Sequence, residues 1–182
     1  KIDSIIIDHH NISKPYPKAN IVINPKKECD YRHYDYYCSA FLTYLFLDFY
    51  NRKNNSKITI ADQLIYVALA TLADVMPLRE NNRFLLKKII KRFDINKNLF
   101  FKMIFKLNNL NKKLDFDDLS YIIAPTINSA GRISNANNVI KLLTSSNEKN
   151  INEITNKFFE FNKKRKIIEN IVINKIKFKK LT

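Results

Sequence analysis

The segment that most constrains the fold is a short apolar run, Ile5–Ile7, that ends directly in Asp8, His9 and His10. A continuous run of β-branched residues is typical of a strand that is covered on both faces in a parallel sheet. Ligands of open α/β sheets bind beyond the carboxyl ends of such strands, where these three side chains follow. Neutral imidazole is a common metal ligand, and a neighbouring carboxylate can share the ion or fix the tautomer of the ring. The segment therefore favours a metal site, and a solvent-facing turn is the alternative.

A second acid, Asp74, lies at the end of a predicted helix. Apolar residues recur at helical spacing from Ile60 to Ala73, Thr59 is a suitable N-cap, and Pro77 stops the helix. Asp74 stands among apolar neighbours, and an acid in that setting is seldom buried without a partner. We therefore expect a salt bridge or a metal ion at Asp74.

A third segment, from Asn128 to Arg132, holds the single glycine of the chain, Gly131. One surviving glycine predicts a special backbone conformation or a close approach at that position. The guanidinium of Arg132 is planar, and its paired donors suit a phosphate group.

Taken in order, these segments resemble the DHH phosphoesterase superfamily. Within it they are most similar to the RecJ exonucleases, which degrade single-stranded DNA from the 5′ end. The resemblance runs from Ile5 to about Glu169, and the order and spacing of its segments are more specific than DHH alone. Four groups of residues carry it: Asp8-His9-His10; Ile23-Asn24-Pro25 with Cys29-Asp30-Tyr31; Ala73-Asp74-Val75-Met76-Pro77-Leu78 with Asn82-Arg83; and Asn128-Ser129-Ala130-Gly131-Arg132.

The resemblance implies catalytic and metal-binding roles in the first and third groups. His9 and Asp74 would be ligands of one metal ion. His10 would face the scissile phosphate, and Asp8 would orient the histidine pair or lie at the edge of the metal site. In the family, two manganese or magnesium ions activate water and stabilise the leaving oxygen.

The resemblance also implies a substrate. Arg132 would bind phosphate of single-stranded DNA, together with Asn128 and Gly131 of the same segment. The implied function is therefore a metal-dependent, single-stranded-DNA-specific 5′→3′ exonuclease.

The chain departs from the family in three places. RecJ-like enzymes carry an Asp-x-Asp motif and a further Asp before the DHH strand, and a companion domain after the long connecting helix; this sequence shows neither. The stretch Tyr36–Ala40 lacks the glycines expected there.

We therefore expect an α/β fold, with a partial parallel-sheet DHH domain, a mainly helical region and a long C-terminal helix. Residues 1–146 would form the C-terminal part of the catalytic domain and 147–182 the connecting helix, with the missing N-terminal half and C-terminal domain as possible partners.

The predicted connecting helix runs from about Asn147 to Lys180 without glycine or proline. Its apolar residues recur at steps of three and four, so one face should pack on the domain. In the family such a helix leads to the companion domain. We therefore expect its end, Ile173–Lys180, to project with apolar surface exposed, which would favour aggregation or a partner.

Composition is compatible with these expectations. The net charge of +15 favours nucleic acid as a partner, although lysine so far exceeds arginine that a coding bias is the alternative. The tyrosines at 31, 34, 36 and 37 could stack on bases or pack in the core. No apolar run approaches the roughly 20 residues of a membrane span, so we expect a cytoplasmic protein whose Cys29 and Cys38 stay reduced.

Two other functions remain open at this stage. One is an inactive, truncated remnant that binds nucleic acid without hydrolysing it. The other is a different DHH phosphoesterase, acting on short oligonucleotides or cyclic dinucleotides.

Overall fold

The computed structural model describes residues 2–27, 34–133 and 137–179, with every side chain in these ranges except those at 130–133 and 177–179. The chain divides into two compact units, Lys1–Phe93 and Asp94–Thr182. This division falls inside the predicted first domain, and the predicted boundary at residue 146 stays a prediction. Among the described residues, no helix combines the length and the apolar character that crossing a membrane requires.

The first unit begins with two parallel strands, as predicted. Strand β1 (Ile5–Ile7) pairs with β2 (Ile21–Ile23), and Ile6 lies opposite Val22. The expectation that β1 is covered on both faces is wrong, because Ile5 is 48% exposed and Ile21 is 51% exposed. Only Ile7, at the carboxyl end of β1, packs against the core of the unit.

Three helices complete the first unit: α1 (Ser39–Asn54), α2 (Leu64–Ala73) and α3 (Glu80–Arg92). The sequence predicts a buried helix over Cys38–Tyr50, and α1 runs four residues past that end, because no breaker intervenes before Asn55, which closes it in a left-handed conformation. Thr59 is not the N-cap of the next helix. The chain there turns through a short 3₁₀ segment, Ala61–Gln63, whose cap position is Ile60.

The core of the first unit joins the start of α1 to α2. Its buried members include two of the tyrosines that could have stacked on bases, so packing is the outcome for Tyr36 and Tyr37. The free thiol of Cys38 is buried beside them. Cys29 and Tyr31 lie outside the described residues.

The second unit is helical throughout its described residues. A 3₁₀ turn (Ile95–Lys97) leads into α4 (Leu99–Leu107), whose first turn is capped by the Asn98 side chain at Phe101 N. A π-helical turn (Asp118–Ile123) continues directly into α5 (Ala124–Ile133), followed by α6 (Asn137–Thr144) and α7 (Glu148–Lys179). Helices α4 and α5 pack on α7.

Gly131 lies within α5, and no described glycine has a positive φ. The expected special backbone conformation is therefore wrong, because a helical residue needs no freedom that alanine lacks. The alternative, a close approach to Gly131, stays a prediction.

Helix α7 confirms the predicted long helix and its exposed end. Ile151 and Phe158, in its first half, are buried, whereas Ile173 and Ile176 are each about half exposed. The side chains beyond Ile176 lie outside the described residues. One stripe of the helix is thus packed near its start and open to solvent near its end.

Candidate metal centre

The Asp8-His9-His10 segment extends the strand pair by one residue. The Asp8 backbone N–H donates to the carbonyl of Ile23 at 3.0 Å, which continues the ladder beyond β1. The His9 side chain is then only 12% exposed, whereas that of His10 is 76% exposed. The two imidazoles therefore occupy different environments, one at the core and one in solvent.

Asn24 fixes the backbone at His10. Its buried side chain donates through Nδ2 to the His10 carbonyl at 2.9 Å and accepts through Oδ1 from the Lys26 N–H at 2.8 Å. This amide thus joins the end of β2 to the residue that follows His9. A substitution without both a donor and an acceptor would release the segment.

Asp8 orients His10 directly. The His10 Nδ1 lies 2.8 Å from Asp8 Oδ1, and the rings of His9 and His10 are 4.4 Å apart between centroids. Partial burial raises the pKa of the Asp8 carboxyl, but the hydrogen bond from the His10 ring and those from the His9 and His10 backbone outweigh it. The net result is an Asp8 pKa below its usual value, so the carboxyl is ionised at neutral pH.

His9 is held by the first residue of α1. The Ser39 Oγ lies 2.8 Å from His9 Nδ1, and the Ser39 backbone N–H donates to the same nitrogen at 3.2 Å. The first N–H groups of a helix have no partner inside the helix, so the imidazole satisfies one of them. Ser39 occupies the stretch where glycine was expected, and it contacts the core histidine instead.

Asp74 faces His9 from the end of α2. Its Oδ2 is 3.8 Å from His9 Nε2, and its side chain is 45% exposed. The Cys38 thiol and the Thr71 hydroxyl are 3.5 Å apart, which ties the start of α1 to the last turn of α2. This contact lies next to the elements that carry Ser39 and Asp74. The expected partner of Asp74 is thus His9.

The geometry of His9 and Asp74 fits a divalent cation. A separation of 3.8 Å is too long for a hydrogen bond. It is within about 4.2 Å, the widest spacing of two ligands that both bind one ion at about 2.1 Å. Asp8, His9 and His10 also each offer one ligand atom, and these three atoms all lie within 4.8 Å of one another. Mixed imidazole nitrogen and carboxylate oxygen suit the transition-metal ions that act on phosphate esters.

Asn82 holds the segment that follows Asp74. Its side chain is buried, and Nδ2 donates to the carbonyls of Tyr36 at 2.7 Å and Pro77 at 3.0 Å. The Tyr36 hydroxyl donates to Glu80 Oε2 at 3.4 Å, and burial raises the pKa of this hydroxyl. Asn82 therefore has a structural role beside Asp74.

The predicted substrate-binding residues lie in the second unit. Asn128 is exposed on α5, and Gly131 is helical, while the side chain of Arg132 lies outside the described ones. Their roles stay predictions, as do the catalytic roles of Asp8 and His10 and the metal-binding roles of His9 and Asp74.

Ser39 is the residue of the site for which no role was predicted. The signal in the sequence was the absence of the glycine that the resemblance leads one to expect in this stretch. That absence indicates that a side chain makes a contact there, but it does not identify His9 as the partner. Asn24 and Asn82 were marked by the resemblance, but their backbone partners were not foreseen.

Comparisons with known proteins agree with these features. In an alignment of 180 positions that covers 92% of this chain, the sequence is 29% identical to the single-stranded-DNA-specific exonuclease RecJ of Escherichia coli (strain K12), of which it covers 31%. The chain thus spans less than a third of the length of that relative. No protein-family model matches the chain.

Solved structures show the same fold. RecJ from Thermus thermophilus in complex with Mn²⁺ superposes with a TM-score of 0.81 and 22% identity, over 96% of this chain and 26% of that one. A structure of exonuclease RecJ bound to manganese gives a TM-score of 0.77 and 21% identity, over 95% of this chain and 43% of that one. The chain is therefore RecJ-like, by sequence over 92% and by fold over 96% of its length.

Proposed function

We propose that this chain carries part of the catalytic site of a metal-dependent exonuclease that hydrolyses single-stranded DNA in the 5′→3′ direction. The observation that carries the proposal is the pair formed by His9 Nε2 and Asp74 Oδ2, 3.8 Å apart, beside the Asp8–His10 hydrogen bond. Similarity to exonucleases specific for single-stranded DNA supports the reaction class. The cytoplasmic location predicted from the sequence stays a prediction.

In this proposal, His9 and Asp74 hold a manganese or magnesium ion. The bound ion supplies a Lewis acid for the phosphodiester and lowers the pKa of water that attacks it. His9 is suited to this role because Ser39 fixes the ring and the core shields it from solvent. Asp74 contributes the negative charge that a divalent cation requires.

His10 acts on the substrate side. Its Nδ1 is occupied by Asp8, so its exposed ring presents Nε2 to solvent, where a phosphate oxygen can approach. The ionised Asp8 carboxylate stabilises the charge that His10 gains on taking up a proton. Arg132 would bind a phosphate of the strand with both arms of its guanidinium, with Asn128 and Gly131 nearby in the chain.

The test compares variants in Mn²⁺ binding by the chain and, with the missing acidic motifs supplied by a longer chain or a partner, in release of nucleotides from end-labelled single-stranded DNA. We expect His9→Ala and Asp74→Ala to lower turnover by orders of magnitude while strand affinity stays close to that of the unchanged chain. Asp62→Asn, which removes an exposed acid from the 3₁₀ turn before α2, is the matched control and should change neither.

The outcomes separate the alternatives. Equal loss of strand binding and turnover in His9→Ala would argue against the metal role. Strand binding without hydrolysis, even when the missing acidic motifs are supplied, would favour the inactive remnant. Cleavage confined to dinucleotides or cyclic dinucleotides would favour another DHH phosphoesterase.

A further inference from the structure

The adjacent imidazoles of His9 and His10 carry their protons on different nitrogens. The Asp8 carboxylate can only accept, so the His10 Nδ1 at 2.8 Å must carry a proton. The Ser39 backbone N–H can only donate, so the His9 Nδ1 at 3.2 Å must offer its lone pair. In the neutral rings, His10 therefore has a free lone pair at Nε2, whereas His9 has an N–H there.

This tautomer of His9 is the wrong one for a ligand. Its Nε2 faces Asp74, and a cation coordinates a nitrogen lone pair and not an N–H group. Before Nε2 can bind an ion, its proton must leave to water and another proton must reach Nδ1. The Ser39 backbone N–H is only a donor, so it cannot accept a hydrogen bond from the resulting Nδ1–H group.

The Ser39 hydroxyl can accept a hydrogen bond from Nδ1–H of His9. Its Oγ lies 2.8 Å from His9 Nδ1, and a hydroxyl donates or accepts according to the rotation of its hydrogen. Oγ lies beside the His9 ring because Ser39 is the first residue of α1, whose start packs next to the end of β1. Serine therefore gives the Nδ1–H tautomer of His9 an acceptor, while the Ser39 backbone N–H then loses its own acceptor at Nδ1. Alanine at this position would offer Nδ1–H no acceptor.

We propose that Ser39 is a positioning residue whose hydroxyl accepts the Nδ1–H of His9 and so presents the Nε2 lone pair to a divalent cation beside Asp74. The inference rests on the proposed function, since it concerns the same site. It assigns a role to a residue that the resemblance marked only by its missing glycine. Groups that orient a metal-binding histidine in this way typically change metal affinity by about 10–100-fold.

The first measurement is Mn²⁺ affinity by calorimetry. Ser39→Ala should bind Mn²⁺ about 10–100-fold more weakly than the unchanged chain. Ser39→Thr keeps the hydroxyl and should retain the affinity. Thr144→Val, which removes an exposed hydroxyl at the end of α6 at nearly constant size, is the control and should also retain it. Circular dichroism verifies that each variant is folded.

The second measurement is the tautomer of His9 by ¹⁵N NMR of its imidazole. Without metal, the proton should reside on Nε2; at saturating Mg²⁺, a diamagnetic probe, it should reside on Nδ1. A proton on Nδ1 in the metal-free chain, or no change of tautomer on binding, would overturn the inference.

The outcomes separate this inference from the proposed function. If Ser39→Ala binds Mn²⁺ as tightly as the unchanged chain, the role of Ser39 is refuted even where DNA is cleaved. A Ser39-dependent Mn²⁺ affinity in a chain that leaves single-stranded DNA intact even when the missing acidic motifs are supplied would refute the proposed function alone. No Mn²⁺ binding by the unchanged chain would refute both.

Discussion

Val75, the residue after Asp74, adopts a conformation that is costly for a β-branched side chain. Its φ is 52°, and its N–H donates to the Leu72 carbonyl at 3.2 Å while Met76 N–H donates to the Thr71 carbonyl at 3.0 Å. These two hydrogen bonds end α2 in a motif that usually places glycine at this position. The Val75 side chain is 86% exposed, so no packing offsets the strain. The strained turn ends α2 at Asp74, opposite His9.

Val75→Gly should therefore stabilise the chain. Relief of the left-handed strain should raise the free energy of unfolding by about 1–2 kcal/mol. Glycine also gives the unfolded chain more conformational freedom, which lowers the free energy of unfolding by about 0.4–1 kcal/mol. We expect a rise of about 1 kcal/mol in the free energy of unfolding, measured by urea titration. Asn55→Gly is the matched control, because Asn55 closes α1 at φ 50° and asparagine tolerates that region. A Val75→Gly variant no more stable than Asn55→Gly would contradict the strain.

For single residues, the sequence does not predict which partner a side chain contacts when that partner is distant in the chain. A partner for Asp74 was expected because burying an unpaired acid is costly, but the Asp74 side chain is 45% exposed, so burial is not the reason that it faces His9. That the partner is His9, and that Ser39 contacts the same ring from α1, depends on the packing of three elements. Asn82 shows the same limit: its partner Tyr36 lies 46 residues away, and no local pattern specifies a backbone carbonyl.

At the scale of elements, the helical run that contains α5 begins with a reciprocal cap. Asp115 Oδ1 accepts from the Asp118 N–H, and Asp118 Oδ2 accepts from the Asp115 N–H, both at 3.0 Å. Lys112 Nζ bonds both carboxylates, at 2.6 Å to Asp115 and 2.9 Å to Asp118. The sequence predicts that Asp115 and Asp118 are helix-start or solvated acids and not metal ligands, and their reciprocal bonds make them helix-start residues.

This cap makes stability depend on acid pH. The Lys112 ammonium, followed by the Asp118 N–H, holds the pKa of Asp115 below its ordinary value of 3.8. The ionised carboxylate thus stabilises the folded chain above pH 3.8, and this contribution is lost as the pH falls through the lowered folded pKa. Asp115→Asn keeps the cap and loses the charge, so its unfolding free energy should fall less steeply below pH 4. Asp117→Asn, an exposed acid of the same turn, should follow the unchanged chain; an unchanged slope in Asp115→Asn would contradict the assignment.

Periodicity predicted the elements better than their ends. The apolar run Ile21–Ile23 predicts a strand with the bounds that β2 has. A helix predicted over about Asn98–Leu107 begins one residue before α4, because Asn98 is its cap. The start of α2 was misplaced, because a 3₁₀ turn without a side-chain cap leaves no sequence signal. The helical state of Gly131 was also missed, since composition reveals that a glycine is rare and not which conformation it adopts.

At the scale of the whole molecule, the residues inferred from the resemblance are divided between the two compact units. Asp8, His9, His10 and Asp74 lie in Lys1–Phe93, and the Asn128–Arg132 segment lies in Asp94–Thr182. Chemistry and strand binding are thus assigned to different units in the proposed function. Variants should be able to change one without the other.

Strand binding also has to be separated from the general attraction of a chain with net charge +15. The binding constant falls as salt rises, and each phosphate neutralised on a single strand contributes about 0.7 to the magnitude of the slope of log binding constant against log salt concentration. Arg132→Ala should lower that slope by about 0.7 and weaken binding, because one specific phosphate contact is lost.

Arg92→Ala removes the same charge from an exposed position in the last turn of α3 and is the matched control for this measurement. A binding series across salt concentrations, with single-stranded DNA of fixed length, compares the two variants. Because both lose one positive charge, any effect of net charge is common to them, and only a phosphate contact at Arg132 separates their slopes. Equal slopes in the two variants would mean that the basic composition, and not the Asn128–Arg132 segment, accounts for DNA binding.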